Sequence, residues 1–444
     1  MSIPFKSFRA VRISAVAIAM TSFLSTVVFA QTFFYNEVTK DGRIYVFAIV
    51  TRYEEFTKNG TQTGPVIERQ NYGPHGETVV FDSQDAVNLY NFKHGLPGEN
   101  FPTAKEEYPS HKFSGLMFGD YYWYYQYHQD QVSNTNPTSV EGQHGFWFRR
   151  LYFTYDYNYN EKLTTRLRLE MNSNGQFAGG DLVPYVKDAH VKWTYTGKQQ
   201  VTLGIQPSLT FDWFDVFWGM RHIEKTPADL YRIDSSRDFG VALSGPSRIN
   251  GLVYAVQFGD ESGSGSETDQ GKIVRLESRF ERPRVVLEGF YSFATRAADE
   301  DRHTVQGIAG YRNDFGRLGG QYLWQKRRSG ADDAPDQTIG IWSGFAVWEV
   351  RPKKADLFLR ADHVQGHLGD TETGLPGAEG IDYWLLSAQA PFTTWIVGGE
   401  LYLHPNIRLS PNLETARYTH DPDPANFPGR RQDSILRVTF FWTF

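Results

Sequence analysis

Two short runs of the chain alternate charged with apolar residues. In "LTTRLRLEM" (163–171), Arg166, Arg168 and Glu170 share one side of an extended chain, and Leu163, Leu167 and Leu169 the other. In "DAHVKWTY" (188–195), Asp188, His190 and Lys192 oppose Val191, Trp193 and Tyr195. A third set lies in residues 207–237, where Asp212, Asp215 and Asp229 mix with Arg221, Lys225 and Arg232 around an aromatic wedge of Phe211, Trp213, Phe214, Phe217 and Trp218. Charges ranked along one face attract, repel and orient ions. No Ser/His/acid set stands out at a candidate rim, so a hydrolase has little to rest on. His363 and His367 are four apart but run from a strand into a loop, where that spacing makes no common face. "GSGSG" (262–266) lacks the Lys-Ser/Thr of a phosphate loop. The sequence therefore names no cofactor and no metal.

The elements that would carry these charges are strands. Alternation with a period of two predicts sixteen, at 112–128, 145–159, 161–173, 184–196, 198–206, 236–244, 249–260, 271–280, 283–294, 302–314, 317–327, 337–350, 353–365, 392–404, 406–419 and 432–444. Eighteen is the alternative count. Each is long enough to cross a bilayer at a tilt. The connections sort by side. One set is short, as in Asn160-Glu161, Gly197-Lys198 and Pro405-Asn406; the other is long, as in 129–144, 207–235, 261–270 and 366–391. One-sided loop length over an even number of strands is the pattern of an outer-membrane β-barrel with short periplasmic turns and long external loops. The final "ILRVTFFWTF" (435–444) sets Leu436, Val438, Phe440, Trp442 and Phe444 on one face, with Phe441 breaking the alternation. That strand is expected to face lipid and to pair with the first, because lipid satisfies no open edge.

Composition agrees. Aromatic residues make up 16 % of the chain while hydrophobic content is a modest 40 %, as expected where only alternate residues meet lipid. Cysteine is absent, so no disulfide framework exists. Residues 1–30 combine Lys6, Arg9 and Arg12 with an apolar run ending in Val28-Phe29-Ala30, which reads as a signal peptide; a membrane anchor is the alternative. Without it, 42 Lys and Arg face 51 Asp and Glu, a net charge of −9 that argues against a nucleic-acid partner. Residues 31–108 differ from the rest. "DGRIYVFAIV" and "ETVVFDS" predict strands, "TRYEEFTKNG" a short helix, and "QDAVNLYNFKHG" a helix with Ser83 as N-cap and Gly95 as stop. The expectation is a small α/β module, joined by the Pro-rich linker 96–111 to a barrel at 109–444. An even strand count puts the module in the periplasm; an interior plug is the other reading.

The segments "GFWFRRLYFTYDYNYNEKLTTRLRLEMNSNG" (145–175), "VKDAHVKWTYTGKQQVTLGIQPSLTFDWFD" (186–215), "SSRDFGVALSG" (235–245) and "RVTFFWTF" (437–444) resemble the phosphate-selective porin O/P family of Gram-negative outer membranes. The resemblance covers roughly residues 112–444 and leaves the module outside. It implies a sixteen-stranded porin, commonly a homotrimer, whose third external loop folds into the pore. Here that loop is 207–237, with an external cap or a trimer contact as its alternatives. Phosphate selectivity in the family depends on several basic residues at the constriction, and this loop departs by offering Lys225 alone among its lysines.

The expected permeants are small hydrophilic solutes, anions in particular. The expected pore-lining set is Arg166, Arg168, Glu170, Asp188 and Lys192 on the wall, with Asp212, Asp215, Arg221, Lys225, Asp229 and Arg232 on the loop. Arg275, Glu277, Arg279, Arg284, Glu288, Arg312, Arg360, Arg408 and Arg437 should also point inward. The acidic tips at 297–301, 331–336 and 420–424 suit solvation, or divalent-ion bridging to lipopolysaccharide. A plugged barrel whose module recruits a partner is the competing function.

Overall fold

The alternation seen in the sequence becomes two faces of one sheet. In a computed structural model, residues 34–96 and 108–444 are described, apart from 129–130, 134–135, 173–181, 262, 264–270, 297–299, 330–334, 367, 369–385, 388–389 and 426. The leader, most of the linker and several loop tips lie outside the described residues. The chain divides into two compact units, Met1–Glu106 and Glu107–Phe444.

The first unit contains β1 (Asn36–Lys40), β2 (Arg43–Phe47), α1 (Val50–Asn59), β3 (Ile67–Arg69), β4 (Thr78–Phe81) and α2 (Gln84–His94). Its sheet runs β1-β2-β4-β3, with β2 and β4 parallel. Ile44, Val46, Val79 and Phe81 pack against Ala86, Val87 and Tyr90 of α2. Phe56 of α1 meets the rings of Tyr45 and Phe47 at 4.7 and 5.1 Å. Ser83 caps α2, its hydroxyl accepting from the Ala86 N–H at 3.2 Å, and Gly95 follows with φ 64°. The module is as expected except for β1 and β3, two short polar edge strands that the sequence did not announce.

In the second unit β5 (Ser110–Gln126) is followed by a loop hairpin, β6 (Gln131–Ser133) with β7 (Asn136–Ser139). Then come β8 (His144–Asn158), β9 (Leu163–Asn172), β10 (Val183–Thr196), β11 (Gln199–Pro207), β12 (Arg237–Pro246), β13 (Leu252–Gly259), β14 (Lys272–Glu281) and β15 (Val285–Thr295). The series ends with β16 (Arg302–Asn313), β17 (Gly316–Arg327), β18 (Gln337–Arg351), β19 (Ala355–Gln365), β20 (Phe392–His404), β21 (Ile407–Tyr418) and β22 (Gln432–Thr443). β5 and β8–β22 form one closed antiparallel barrel of sixteen strands. The sixteen strands match the sixteen expected from period two, with ends shifted by a few residues.

Inside and outside differ as alternation demands. On β9, Glu170 is fully buried while Leu167 is 45 % exposed. Trp342, Trp348, Trp395, Leu287 and Val305 stand outward. Such an apolar outer band suits lipid rather than water.

The barrel closes where β22 pairs with β5. The Gly115 N–H donates to the Phe444 carbonyl at 3.0 Å and the Phe444 N–H to that of Gly115 at 3.1 Å. A Cβ on Gly115 would stand 2.2 Å from the Phe444 ring, so glycine is what lets the last side chain lie across the seam. Deeper in, the Thr439 hydroxyl donates to Asp120, 319 residues away in sequence, at 2.6 Å.

Candidate pore constriction

The long connection between β11 and β12 folds into the lumen. Its core is α3 (Phe211–Trp218), followed by the single turn α4 (Pro227–Leu230). In α3 the aromatics recur at helical spacing, so Phe211, Phe214, Phe217 and Trp218 are all buried. They meet wall residues: Trp218 lies 4.9 Å from the Phe345 ring, and Phe358 belongs to the same cluster. Gly219 ends the helix with φ 71°, and a Cβ there would sit 2.1 Å from Arg317.

A loop with few ladder bonds leaves carbonyls unpaired, and the wall supplies guanidinium groups to them. Arg149 donates to the carbonyls of Ile223 (2.8 Å) and His222. Arg317 donates to that of Trp218 at 3.0 Å, and Arg360 to that of Lys225. Arg437 pairs with Glu224 of the loop at 3.0 Å and with Glu414 of the wall at 2.9 Å. His222 meets Glu400, and its ring lies 4.7 Å from Phe441. Phe441, which breaks the alternation of the last strand, therefore has a function in packing the loop. Arg275, Arg360 and Arg437 do point inward, but they are buried against Asp234 and Asp238, Asp362, and Glu224 and Glu414 respectively. Glu277 and Glu288 are buried inward too, and Arg408 pairs with Glu400 at 3.0 Å. Arg279 pairs with Glu277 and Glu281, while Arg284 and Arg312 emerge at the short-turn rim.

The other side of the loop faces β8–β12 across the remaining space. Asp212, with its side chain 46 % exposed, pairs with Arg237 at 2.9 Å, and Arg237 also holds Asp188. Arg168 pairs with Asp188 at 3.2 Å, Arg166 with Asp156 at 2.7 Å, and Glu170 with both Arg150 (2.8 Å) and Lys187 (2.9 Å). On the loop, Arg221 bridges Asp215 (3.1 Å) and Asp229 (3.3 Å), and the buried Lys225 pairs with Asp229 at 3.1 Å. Arg232 is exposed, in a left-handed conformation at φ 51°. Among the described residues Lys192 has no carboxylate within ion-pair distance.

Three cavities flank the loop. One of about 410 Å³, on the long-connection side, is bordered by Arg150, Lys187, Lys225, Arg232, Arg237, Arg296 and Arg302 against Asp229, Asp234 and Glu261. Two others, of about 460 and 580 Å³, lie toward the short turns and share Asp212. The Arg237–Asp212 pair thus stands between the outer space and the inner two.

No protein-family model and no curated protein matches the chain. Solved structures do. An anion-selective porin from Comamonas acidovorans is similar with a TM-score of 0.54 at 13 % identity, covering 76 % of this chain and 99 % of that one. OmpF of Salmonella typhi, in complex with daunomycin, gives 0.53 at 12 %, covering 76 % and 98 %. OmpT from the outer membrane of Vibrio cholerae gives 0.50 at 11 %, covering 77 % and 99 %. The barrel shares the fold of these porins, a closed antiparallel barrel, here of sixteen strands. At these identities the likeness is one of fold, coarser than the phosphate-selective family.

Within this barrel, Arg149, Arg150, Lys187 and Arg237 are inward charges absent from the set expected from the sequence. The first three sit at β-bulges. The register of β8 shifts between Phe148 and Arg150, and that of β10 between Val186 and Asp188, so adjacent residues both turn inward. The available signal was the charge itself: in Arg149-Arg150 and Lys187-Asp188 strict alternation would send one charge into lipid. His363 binds Thr393 at 2.9 Å, and His367 lies outside the described residues.

Proposed function

We propose that the chain is an outer-membrane porin through which small hydrophilic solutes diffuse passively, with a preference for anions. The observation that carries this is the outer cavity, bordered by seven cations and three carboxylates, while Glu170, Asp188 and Asp212, the partners of Arg150, Lys187 and Arg237, lie outside its lining. Several are ion-paired, so the bias is moderate rather than a binding trap. Charges in a narrow low-dielectric channel act at a distance that bulk water would screen. On the inner side Lys112 and Lys192 border the 460 Å³ cavity with no carboxylate in ion-pair reach among the described residues, whereas Arg166 is tied to Asp156. Lys192 therefore weighs more on ion choice than Arg166 or Arg168.

In this reading the long connections face outward, the short turns and the 31–108 module face the periplasm, and lipid and lipopolysaccharide surround the barrel. Phosphate belongs to the permeant class, but the loop's lone lysine is neutralised by Asp229. The resemblance adds homotrimeric assembly, which cross-linking of detergent-extracted protein would read. The second reading, a plugged barrel, draws on the contacts that hold the 207–237 loop against the wall, Trp218 on Phe345 and Glu224 on Arg437.

Reversal potentials in a KCl gradient across a planar bilayer test the proposal. A chloride preference that Lys192→Gln diminishes more than Arg166→Gln is expected. A potassium preference would overturn the anion reading, and absence of conductance the channel itself.

A further inference from the structure

We infer that the lumen holds, on its short-turn side, a subsite for amphipathic carboxylates, small aromatic acids foremost. The inference rests on the channel reading above and deepens it by naming a permeant class.

The 580 Å³ cavity lies between α3 and the turns that follow β14 and β16. Its size is that of pockets for small organic ligands. Two kinds of surface meet in it. From α3 come Trp213, Val216 and Phe217. Val216 is 80 % exposed, although its neighbour Phe217 and the nearby Phe214 are buried. An apolar side chain presented to a cavity inside a polar lumen leaves surface that an apolar solute can cover. The Trp213 ring is fixed in place: its indole N–H donates to Glu288 at 3.1 Å, and the Arg279 guanidinium lies 4.9 Å from its centroid.

Facing these are Arg284, Arg312 and Arg317. Arg312 donates to the Pro283 carbonyl at 3.0 Å and Arg317 to that of Trp218, which orients both side chains. Among the described residues no carboxylate lies within ion-pair distance of any of the three. Of the acids on the cavity wall, Glu281 is taken by Arg279 and Asp212 by Arg237, leaving Glu349. The local balance is positive.

A bare inorganic anion would answer the guanidinium groups and leave the apolar wall wet. A neutral sugar would do the reverse for the charges. An aromatic carboxylate answers both, its carboxylate accepting from planar guanidinium donors and its ring lying against Trp213 and Val216.

The test uses the full chain in a planar bilayer, with benzoate added on each side in turn and acetate and benzyl alcohol as controls. Benzoate should interrupt the KCl current where acetate and benzyl alcohol do not. The paired change Arg284→Gln and Arg312→Gln, and separately Val216→Asp, should each weaken that block by about ten-fold or more. Equilibrium dialysis of labelled benzoate against the detergent-folded protein should give the same ranking, in variants that keep their heat-modifiable mobility. Acetate equal to benzoate, or variants that bind as the parent does, would overturn the subsite. If the protein conducts nothing, the channel reading falls and dialysis alone decides: benzoate retained by the parent and lost by the variants upholds the subsite, and no retention overturns it.

Discussion

Arg237 on the wall holds Asp212 on the loop helix at 2.9 Å and, with its other donor edge, Asp188 two strands away. One guanidinium thus joins the loop helix to the barrel wall at the base of the loop, where Arg237 faces Pro207 in the sheet. Asp212→Asn would remove the charge that ties the loop side to Arg237 and leave Arg237 facing the path. Single-channel conductance should rise and chloride preference increase, by up to about ten-fold, the low end of counter-ion focusing in such channels. An unchanged reversal potential in the variant would show that the path runs elsewhere.

Trp218 anchors the loop against Phe345 and Phe358 while its indole N–H donates to the Glu224 carbonyl at 3.1 Å. Trp218→Ala should cost about 3–5 kcal/mol of local packing. The barrel wall keeps its own ladder, so the expected outcome is a folded barrel with larger, noisier current. Phe315→Ala, at an exposed turn, is the matched control and should leave the current alone. Equal noise in the two variants would refute the anchoring role.

Arg149 and Asp120 are fully buried side chains 2.7 Å apart beside the seam. Removing one partner leaves a charge without its counter-ion, so Arg149→Met should cost about 3–5 kcal/mol. Joint replacement by Arg149→Met and Asp120→Asn should cost less than the single change. The readout is the temperature at which the folded electrophoretic form disappears. A double variant weaker than the single would contradict this account.

Sixteen strands were legible because alternation of apolar and polar residues is local, and so is the sorting of long from short connections. The loop's destination was legible too: the five aromatics clustered at 211–218 had to be covered. The helical spacing of Phe211, Phe214 and Trp218 was available as well, though strand periodicity dominated the reading. Partner choice was not legible. Arg360 and Arg437 were expected to point inward, as they do, but not to meet the loop, which brings its own carbonyls and Glu224 to them, a contact between segments distant in sequence. Arg149 and Lys187 were hidden because a bulge depends on the register of the partner strand. β1 ("NEVTK") and β3 ("IER") lack an apolar run and exist as edges of a sheet whose centre is β2 and β4.

In the module, burial pushes the Glu37 carboxyl up, but bonds from Tyr35, His94 (2.9 Å) and Lys93 (3.0 Å) outweigh it and hold the group below its ordinary range. A depressed carboxylate stabilises the fold above its unfolded value of 4.5, and that contribution fades as pH falls through the lowered one. A fragment spanning 31–108 should therefore fold alone and lose stability on acidification below about pH 4.5. Glu37→Gln should flatten that acid limb in circular dichroism. Identical acid limbs would remove Glu37 from the account. A chain beginning near residue 108 should still insert and conduct as the full protein does.

The Gly115–Phe444 seam also sets the timing of assembly. A sheet that shuts only when its two extremes meet pays its loop-closure entropy before the final ladder can form, so topology makes the step slow. Until then β5 and β22 are open edges, free to pair with any other chain. The rate at which these two edges find each other, rather than the strength of the finished ladder, then sets how long mispairing between chains competes with closure.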